Sequence, residues 1–230
     1  AGNLATGWSN GFGYAGAIDL NQSNLVLDSC SFTNNVSDLE GGAVCSTDST
    51  IQLSSCNFSN NQNSSNNGGG AIKIIGGSLS DSNSTYSNND SASNGGAIDA
   101  KKTTLNLSSL TFSSNYSTYY GGACNLEDCN ASIKNTSFTG NRSIFAGGGI
   151  YMIDGYLVST DSHYSRNSSN TQGGAVSVKN GTWIETNASY FQNDSIFEGG
   201  GIYFEDSSGS INESNFTDNL NSTYNGGGAV

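Results

Sequence analysis

Apolar residues in this chain fall in short alternating runs that return at nearly constant intervals. In the stretch SFTNNVSDLEGGAV, Ser31 to Val44, an aromatic is followed three residues later by an asparagine and then by Gly-Gly-Ala-Val. Aligning on the third residue of the glycine motif gives Ala17, Ala43, Ala71, Ala97, Ala123, Gly149, Ala175, Gly201 and Ala229, with steps of 26 residues except for two of 28. The next aromatic, Phe32, Phe58, Tyr86, Phe112, Phe138, Tyr164, Tyr190 or Phe216, always lies 15 residues on. Both two-residue insertions fall between aromatic and glycines, in NQNSSNNGGG and NLNSTYNGGG. The interval that varies in length is loop, and the one that never varies is packed structure.

Within the fixed interval the apolar period is two, as in strands with one buried face. Positions 1 and 3 after the aligned residue read Ile18/Leu20, Ile72/Ile74, Ile150/Met152, Val176/Val178 and Ile202/Phe204, while position 2 holds Asp19, Lys73, Asp99 and Ser177. Positions 8 and 10 repeat the alternation with Leu25/Leu27, Ile51/Leu53 and Leu105/Leu107, and positions 13 and 15 with Cys30/Phe32, Cys56/Phe58 and Leu110/Phe112. No span keeps a helical apolar period. The pattern predicts three short strands per coil, with position 2 facing solvent.

Three strands in about 26 residues cannot enclose a core alone, but stacked coils give each strand a parallel partner about 4.8 Å away. The predicted fold is therefore all-β, a right-handed parallel β-helix (β-solenoid) of eight to nine coils, its hand following the rule for parallel crossovers. Residues 1–230 form a single repeat domain, either whole or one segment of a longer solenoid or polymer. The glycine pair supplies a bend into the first strand, and the aromatics stack in one corner of the core. Asn35, Asn61, Asn89, Asn115, Asn141, Asn167, Asn193 and Asn219 stand three residues after the aromatic in all eight coils. Asparagine tolerates left-handed backbone and bonds locally, so these residues are expected to form a structural ladder; a ligand-binding row is the alternative.

Composition narrows the partners. Seven Lys and Arg against 19 Asp and Glu give a net charge of -12, so neither nucleic acid nor an anionic membrane surface is expected to bind. No apolar run reaches the ~18 residues of a membrane span, and no membrane insertion by this segment and no cofactor are expected. The sequence opens and closes partway through a coil, with Trp8, Phe12 and Tyr14 as apolar surface at one end and Val230 at the start of a ninth first strand. The expected partner is the chain itself, stacked head to tail, or a neighbouring solenoid segment.

The alternation of Gly-Gly-Ala-aliphatic with aromatic-x-x-Asn resembles the repeat of the chlamydial polymorphic membrane proteins, which are autotransporter surface adhesins. It is carried by Gly41-Gly42-Ala43-Val44, Gly95-Gly96-Ala97-Ile98 and Gly173-Gly174-Ala175-Val176, with Phe32 to Asn35, Phe112 to Asn115 and Phe138 to Asn141. The resemblance implies an extracellular β-helical passenger or adhesin and implies no catalysis.

A second pattern lies outside that family. The chain has eighteen N-x-S/T acceptors, where its Ser and Thr content gives about eight by chance. Six coincide with the ladder, at Asn35, Asn89, Asn115, Asn141, Asn167 and Asn193. Alternation places Asn57, Asn83, Asn106, Asn135, Asn187 and Asn215 on outward strand positions, and Asn63 and Asn221 fall in the insertion loops. These eight are the expected N-glycan sites, which implies a secreted, cell-surface glycoprotein.

The remaining chemistry is sparse. Cys30 and Cys56 occupy one core position in adjacent coils, within bridging range or stacked as small hydrophobes; Cys124 packs in the core or pairs with Cys129. Cys45 reads as outward and odd, a free thiol or an intermolecular link, and the spacings carry no zinc signal. The best acidic cluster, Glu127-Asp128 and Glu205-Asp206 with Asp154 between, is more simply solvated turn residues. His163 is the sole histidine. The leading expectation is a non-enzymatic extracellular rod or fibre subunit. An adhesin domain reading a host or carbohydrate ligand through Tyr119, Tyr120, Tyr151 and Tyr203 is the alternative, and a polysaccharide lyase or hydrolase comes third.

Overall fold

The computed structural model describes residues 15–222, together with Leu4–Ala5 and Gly227. Trp8, Phe12, Tyr14 and Val230 lie outside the described residues. Coils are numbered one to eight from Ala17, Ala43, Ala71, Ala97, Ala123, Gly149, Ala175 and Gly201, and the loop before each glycine pair is counted with the coil it leads into.

Each coil contributes one strand to each of four parallel sheets, and the described residues contain no helix. In coil four the strands are Ile98–Lys101, Thr104–Ser108, Thr111–Ser113 and Tyr116–Ser117. Three sheets hold eight strands and the fourth holds nine. Pairing is in register by motif position, so Phe112 sits between Tyr86 and Phe138. The alternation gave three strands; the fourth has only two residues per coil, too few for a period of two to show.

Three corners separate these strands, and each turns on one residue with left-handed backbone. In coil one they are Gln22 (φ 48°), Ser29 (φ 53°) and Asn34 (φ 56°). The corresponding residues of later coils include Lys102, Arg166, Gln192 and Glu213, which have little intrinsic preference for this region. A left-handed non-glycine residue costs about 1–2 kcal/mol, and stacking offsets the cost because each corner N–H of coils one to seven still finds a carbonyl one coil on, as Ser29 does at Ser54 O (2.8 Å). The left-handed residue precedes the repeated asparagine, correcting the expectation that the asparagine itself takes that conformation. In the glycine motif, Gly95 has φ +59°, and a Cβ on Gly96 would lie 2.1 Å from Gly122 O. The first glycine serves the bend and the second lets neighbouring coils close.

The interior is organised in rows. Eight aromatic rings from Phe32 to Phe216 stack with centroids 4.5–5.1 Å apart and interplanar angles up to 12°. Beside them runs a row of amides. Asn141 Nδ2 donates to Asn167 Oδ1 (3.0 Å) and to Phe112 O (3.0 Å), while Asn141 Oδ1 accepts from Asn115 Nδ2 (2.9 Å) and Asn115 N (3.0 Å). The amide-to-amide bond repeats from Asn35 to Asn219. Each amide nitrogen in the middle of the row thus spends both its protons inside the core.

Two carboxyl groups interrupt the apolar filling at position 10. Asp81 accepts from Ser84 Oγ (2.6 Å) and Tyr86 OH (2.5 Å). Glu185 is fully buried and accepts from Trp183 Nε1 (3.1 Å) and Tyr190 OH, while its Oε1 has no hydrogen-bond partner among the described residues. Burial pushes the carboxyl of each up, against the opposing pull of these hydrogen bonds.

Candidate functional site

The outward face of the first sheet is covered at Cys45, Asp99, Asn125, Tyr151 and Ser177, half-covered at Lys73 and Tyr203, and open at Asp19. The segment between the fourth strand of one coil and the glycine pair of the next folds back over position 2, leaving Cys45 2%, Asp99 3% and Asn125 4% exposed. Cys45 Sγ donates to Glu40 Oε2 at 3.0 Å. Asp99 pairs with Lys73 and accepts from Asn125 Nδ2 at 2.6 Å. This corrects the reading of position 2 as solvent-facing at Asp99 and Ser177, while Asp19 is exposed as expected and Lys73 is half-buried: alternation marks the side of a strand, and a loop supplies a second cover.

The covering loops of coils five, six and eight carry aromatics, Tyr119 and Tyr120, Phe145 and Phe197. Tyr119 stacks on Phe145 (centroids 5.6 Å, 25° between planes), and Tyr120 stacks on Tyr151 of the sheet beneath (4.5 Å, 26°). Tyr119, Phe145, Ile196 and Phe197 are among the most exposed large apolar residues described. Between the rings lies a cavity of 470 Å³, with Tyr151 and Ser177 from the first sheet and Phe145, Thr171 and Phe197 from the loops. Lys179, Glu198 and Glu205 also border it. Lys179 Nζ bonds Glu205 Oε1 at 2.7 Å, which pushes the Lys179 ammonium up, and Gln172 Nε2 donates to Glu198 Oε2 at 3.0 Å. Burial pushes the Tyr151 phenol up to about 12, so the ring is neutral at physiological pH. A more open hollow of 570 Å³ on the second sheet, past Val26, Gln52 and Ser80, has no aromatic lining.

Tyr119, Tyr120 and Tyr151 therefore meet around one site. Tyr151 is only 9% exposed and acts as wall rather than as free surface. Tyr203 lies beside the cavity, its phenol raised by burial and by Glu198. Phe145, Thr171, Phe197 and Glu198 escaped notice in the sequence. Comparing them at equal coil positions would have revealed them: Tyr119, Phe145, Thr171 and Phe197 form one column, and Tyr151, Ser177 and Tyr203 another.

The other candidates are dispersed. Glu127 pairs with Lys101 (2.7 Å) and Glu205 with Lys179, while Asp128, Asp154 and Asp206 occupy left-handed corners. His163 Nδ1 meets Ser189 Oγ at 2.8 Å on an exposed strand. Among the described residues no cluster of His, Cys, Asp and Glu could hold a metal ion.

Among the candidate acceptors, Asn106 and Asn215 are exposed on strands and Asn57 is half-buried. Asn83, Asn135 and Asn187 are exposed at left-handed corners (φ 58°, 48° and 56°), not on strands as the alternation had it. Asn63 belongs to the two-residue strand Gln62–Asn63, is fully buried and donates to Glu40 O (2.6 Å), and Asn221 lies in the strand Leu220–Asn221. Neither stands in a loop, because the insertions follow these strands.

All five cysteines are free thiols. Cys56 Sγ donates to Ser54 O (3.4 Å), Cys129 Sγ to Glu127 O (3.3 Å), and Cys124 is wholly inside the core. Neither the Cys30 to Cys56 nor the Cys124 to Cys129 bridge is formed. Cys45, expected to point outward, is buried, and desolvation followed by the Glu40 hydrogen bond raises its thiol far above the usual range.

The sequence model for the Chlamydia polymorphic membrane protein repeat matches residues 29–47 and 109–127. Each match carries one aromatic-to-asparagine step and the following glycine pair: Phe32 to Asn35 with Gly41 and Gly42, and Phe112 to Asn115 with Gly121 and Gly122. In its repeat unit the chain is similar to those proteins. No curated protein matches the chain. Among solved structures, "Crystal structure of TibC-catalyzed hyper-glycosylated TibA55-350 fragment" aligns at 13% identity over 87% of this chain and 99% of that chain, with a TM-score of 0.15 that supports no structural argument.

Proposed function

We propose that this chain is part of an extracellular, cell-surface β-solenoid whose stacked coils act as a rod and whose covering loops on coils five to eight form an adhesive face. The observation that carries this reading is a division of labour. The core rows run unbroken from coil one to coil eight, whereas exposed aromatics concentrate on one loop edge around one cavity. A soluble protein seldom leaves such an apolar patch open without a partner for it. The likeness to a surface-protein repeat supports the location, and the exposed acceptors Asn83, Asn106, Asn135, Asn187 and Asn215 suit a sugar coat over the remaining surface. Catalysis is not part of the reading: the carboxylates that could serve it are paired with lysines or spread over corners of separate coils.

Two measurements test this. Antibody against the domain should label intact cells that make the protein, and a signal seen only after permeabilisation would overturn the location. Purified domain should adhere saturably to a target cell or matrix, with Phe145→Ala abolishing adhesion and Val26→Ala, on a different sheet, sparing it. Equal adhesion by both variants would remove the loop edge from the function.

A further inference from the structure

We propose that the cavity at coil seven is a slot for the guanidinium group of an arginine on a partner protein; this rests on the adhesive-face reading and names its ligand. The argument begins with a missing rung. Phe145, Thr171 and Phe197 occupy one coil position, tied by Thr171 N to Phe145 O (3.0 Å) and Phe197 N to Thr171 O (3.0 Å). Tyr119 covers one face of Phe145, so that ring faces along the solenoid axis and its other face looks toward coil seven. There the column supplies a threonine. The floor is interrupted at the same coil, where Ser177 pairs between Tyr151 and Tyr203. One coil thus replaces a ring with a small polar residue in both columns, and the 470 Å³ cavity is the result.

The dimensions select a flat group. Two coil steps separate Phe145 from Phe197, about 9.6 Å at the spacing of parallel strands. At the 5.6 Å ring spacing that Tyr119 and Phe145 show in this column, a planar group on the middle rung would stay inside the ~6 Å range in which a cation is attracted to an aromatic face. The charge at the rim selects a cation. Lys179 is occupied by Glu205, whereas no cation among the described residues pairs with Glu198, which accepts only neutral donors such as Gln172. The whole chain carries -12, which favours approach of a basic partner. Guanidinium is flat, weakly hydrated and able to stack while donating in its plane to a carboxylate, whereas an ammonium is a compact and strongly hydrated point. A neutral sugar ring could enter the same space but would gain nothing from the Glu198 charge.

The test is a titration of the isotope-labelled domain with acetyl-Gly-Arg-Gly-amide, followed by amide chemical shifts. Saturable shifts should centre on Thr171, Gln172 and Ser177. The isosteric citrulline peptide should bind at least about fivefold more weakly, since it keeps the plane and loses the charge. Glu198→Gln should weaken arginine binding by a similar factor, and Thr171→Phe, which fills the rung, should abolish it. Phe197→Ala, at an exposed site, serves should Thr171→Phe disturb the fold, and should also weaken binding. Equal affinity for citrulline, tighter binding of N-acetylglucosamine, or no saturation would overturn the proposal. If arginine fails while adhesion still depends on Phe145, the ligand class falls and the adhesive face stands. If adhesion is also independent of Phe145, both fall.

Discussion

Replacing Asn141 by alanine should cost the domain about 4 kcal/mol, because its side chain makes four buried hydrogen bonds at 2.9–3.0 Å, each with a net value of about 1 kcal/mol. Alanine removes all four and leaves the Asn115 N–H, one proton of Asn115 Nδ2, Phe112 O and Asn167 Oδ1 short of a partner inside the core. Asn141→Asp sharpens the test at nearly constant volume. An oxygen then replaces Nδ2 and faces the two acceptors Phe112 O and Asn167 Oδ1, so at neutral pH the loss should match or exceed that of alanine. Part of it should return in acid, where the carboxyl can donate one bond. Asn106→Ala, on an exposed strand position, should stay within about 0.5 kcal/mol of the parent. Urea unfolding followed by circular dichroism gives the free energies, and hydrogen exchange across coils four to six shows whether the loss is local in a repeat array. A cost below about 1 kcal/mol for Asn141→Ala, or neutral-pH stability of Asn141→Asp equal to the parent, would refute the reasoning.

Peptide mapping of material from a eukaryotic secretory host should find sugar on Asn83, Asn106, Asn135, Asn187 and Asn215, and none on Asn63 or Asn141, whose amide nitrogens are committed inside; the reverse occupancy would contradict the burial. Asp99→Ala should cost about 3 kcal/mol by stranding Lys73 and Asn125, close to the ~3–5 kcal/mol of Phe112→Ala, and a thermal shift near zero for Asp99→Ala would show that the loop does not seal position 2. Glu185 has a raised folded-state pKa, so its contribution to stability is fullest below the ordinary glutamate range and is lost as pH rises through the folded value. Stability of the parent should therefore fall more between pH 4.5 and 7.5 than that of Glu185→Gln; parallel curves would exclude Glu185 as a source of the slope.

The repeat unit, the parallel stacking and the inward side of each strand could be read from the spacing, because a solenoid enforces the same residue class at the same coil position. Cover by other segments could not be read in that way. Asp99 and Cys45 stand on the outward side of their strands and are buried by the loop before the glycines, which carries no periodicity of its own. The corners hid for a related reason. Coil-to-coil hydrogen bonds let Lys102 and Arg166 adopt the left-handed backbone that propensity reserves for glycine and asparagine. The notch at coil seven is a departure from the repeat, visible as Thr171 between Phe145 and Phe197 once the columns are compared, but its depth depends on loop packing.

Spin-label distances along one sheet face test the stacked, in-register solenoid most directly. Ser31 and Asn215 are exposed residues at one motif position in coils one and eight, joined by continuous in-register pairing along their sheet. With Cys30 replaced by serine and the other thiols buried, labels at these sites should lie about 34 Å apart, seven steps at about 4.8 Å. Labels at Ser31 and Ser137, four coils apart, should give about 19 Å by the same spacing. Distances that grow in proportion to the number of coils are the expected result, and distances that do not scale with coil number would contradict the fold on which the adhesive face depends.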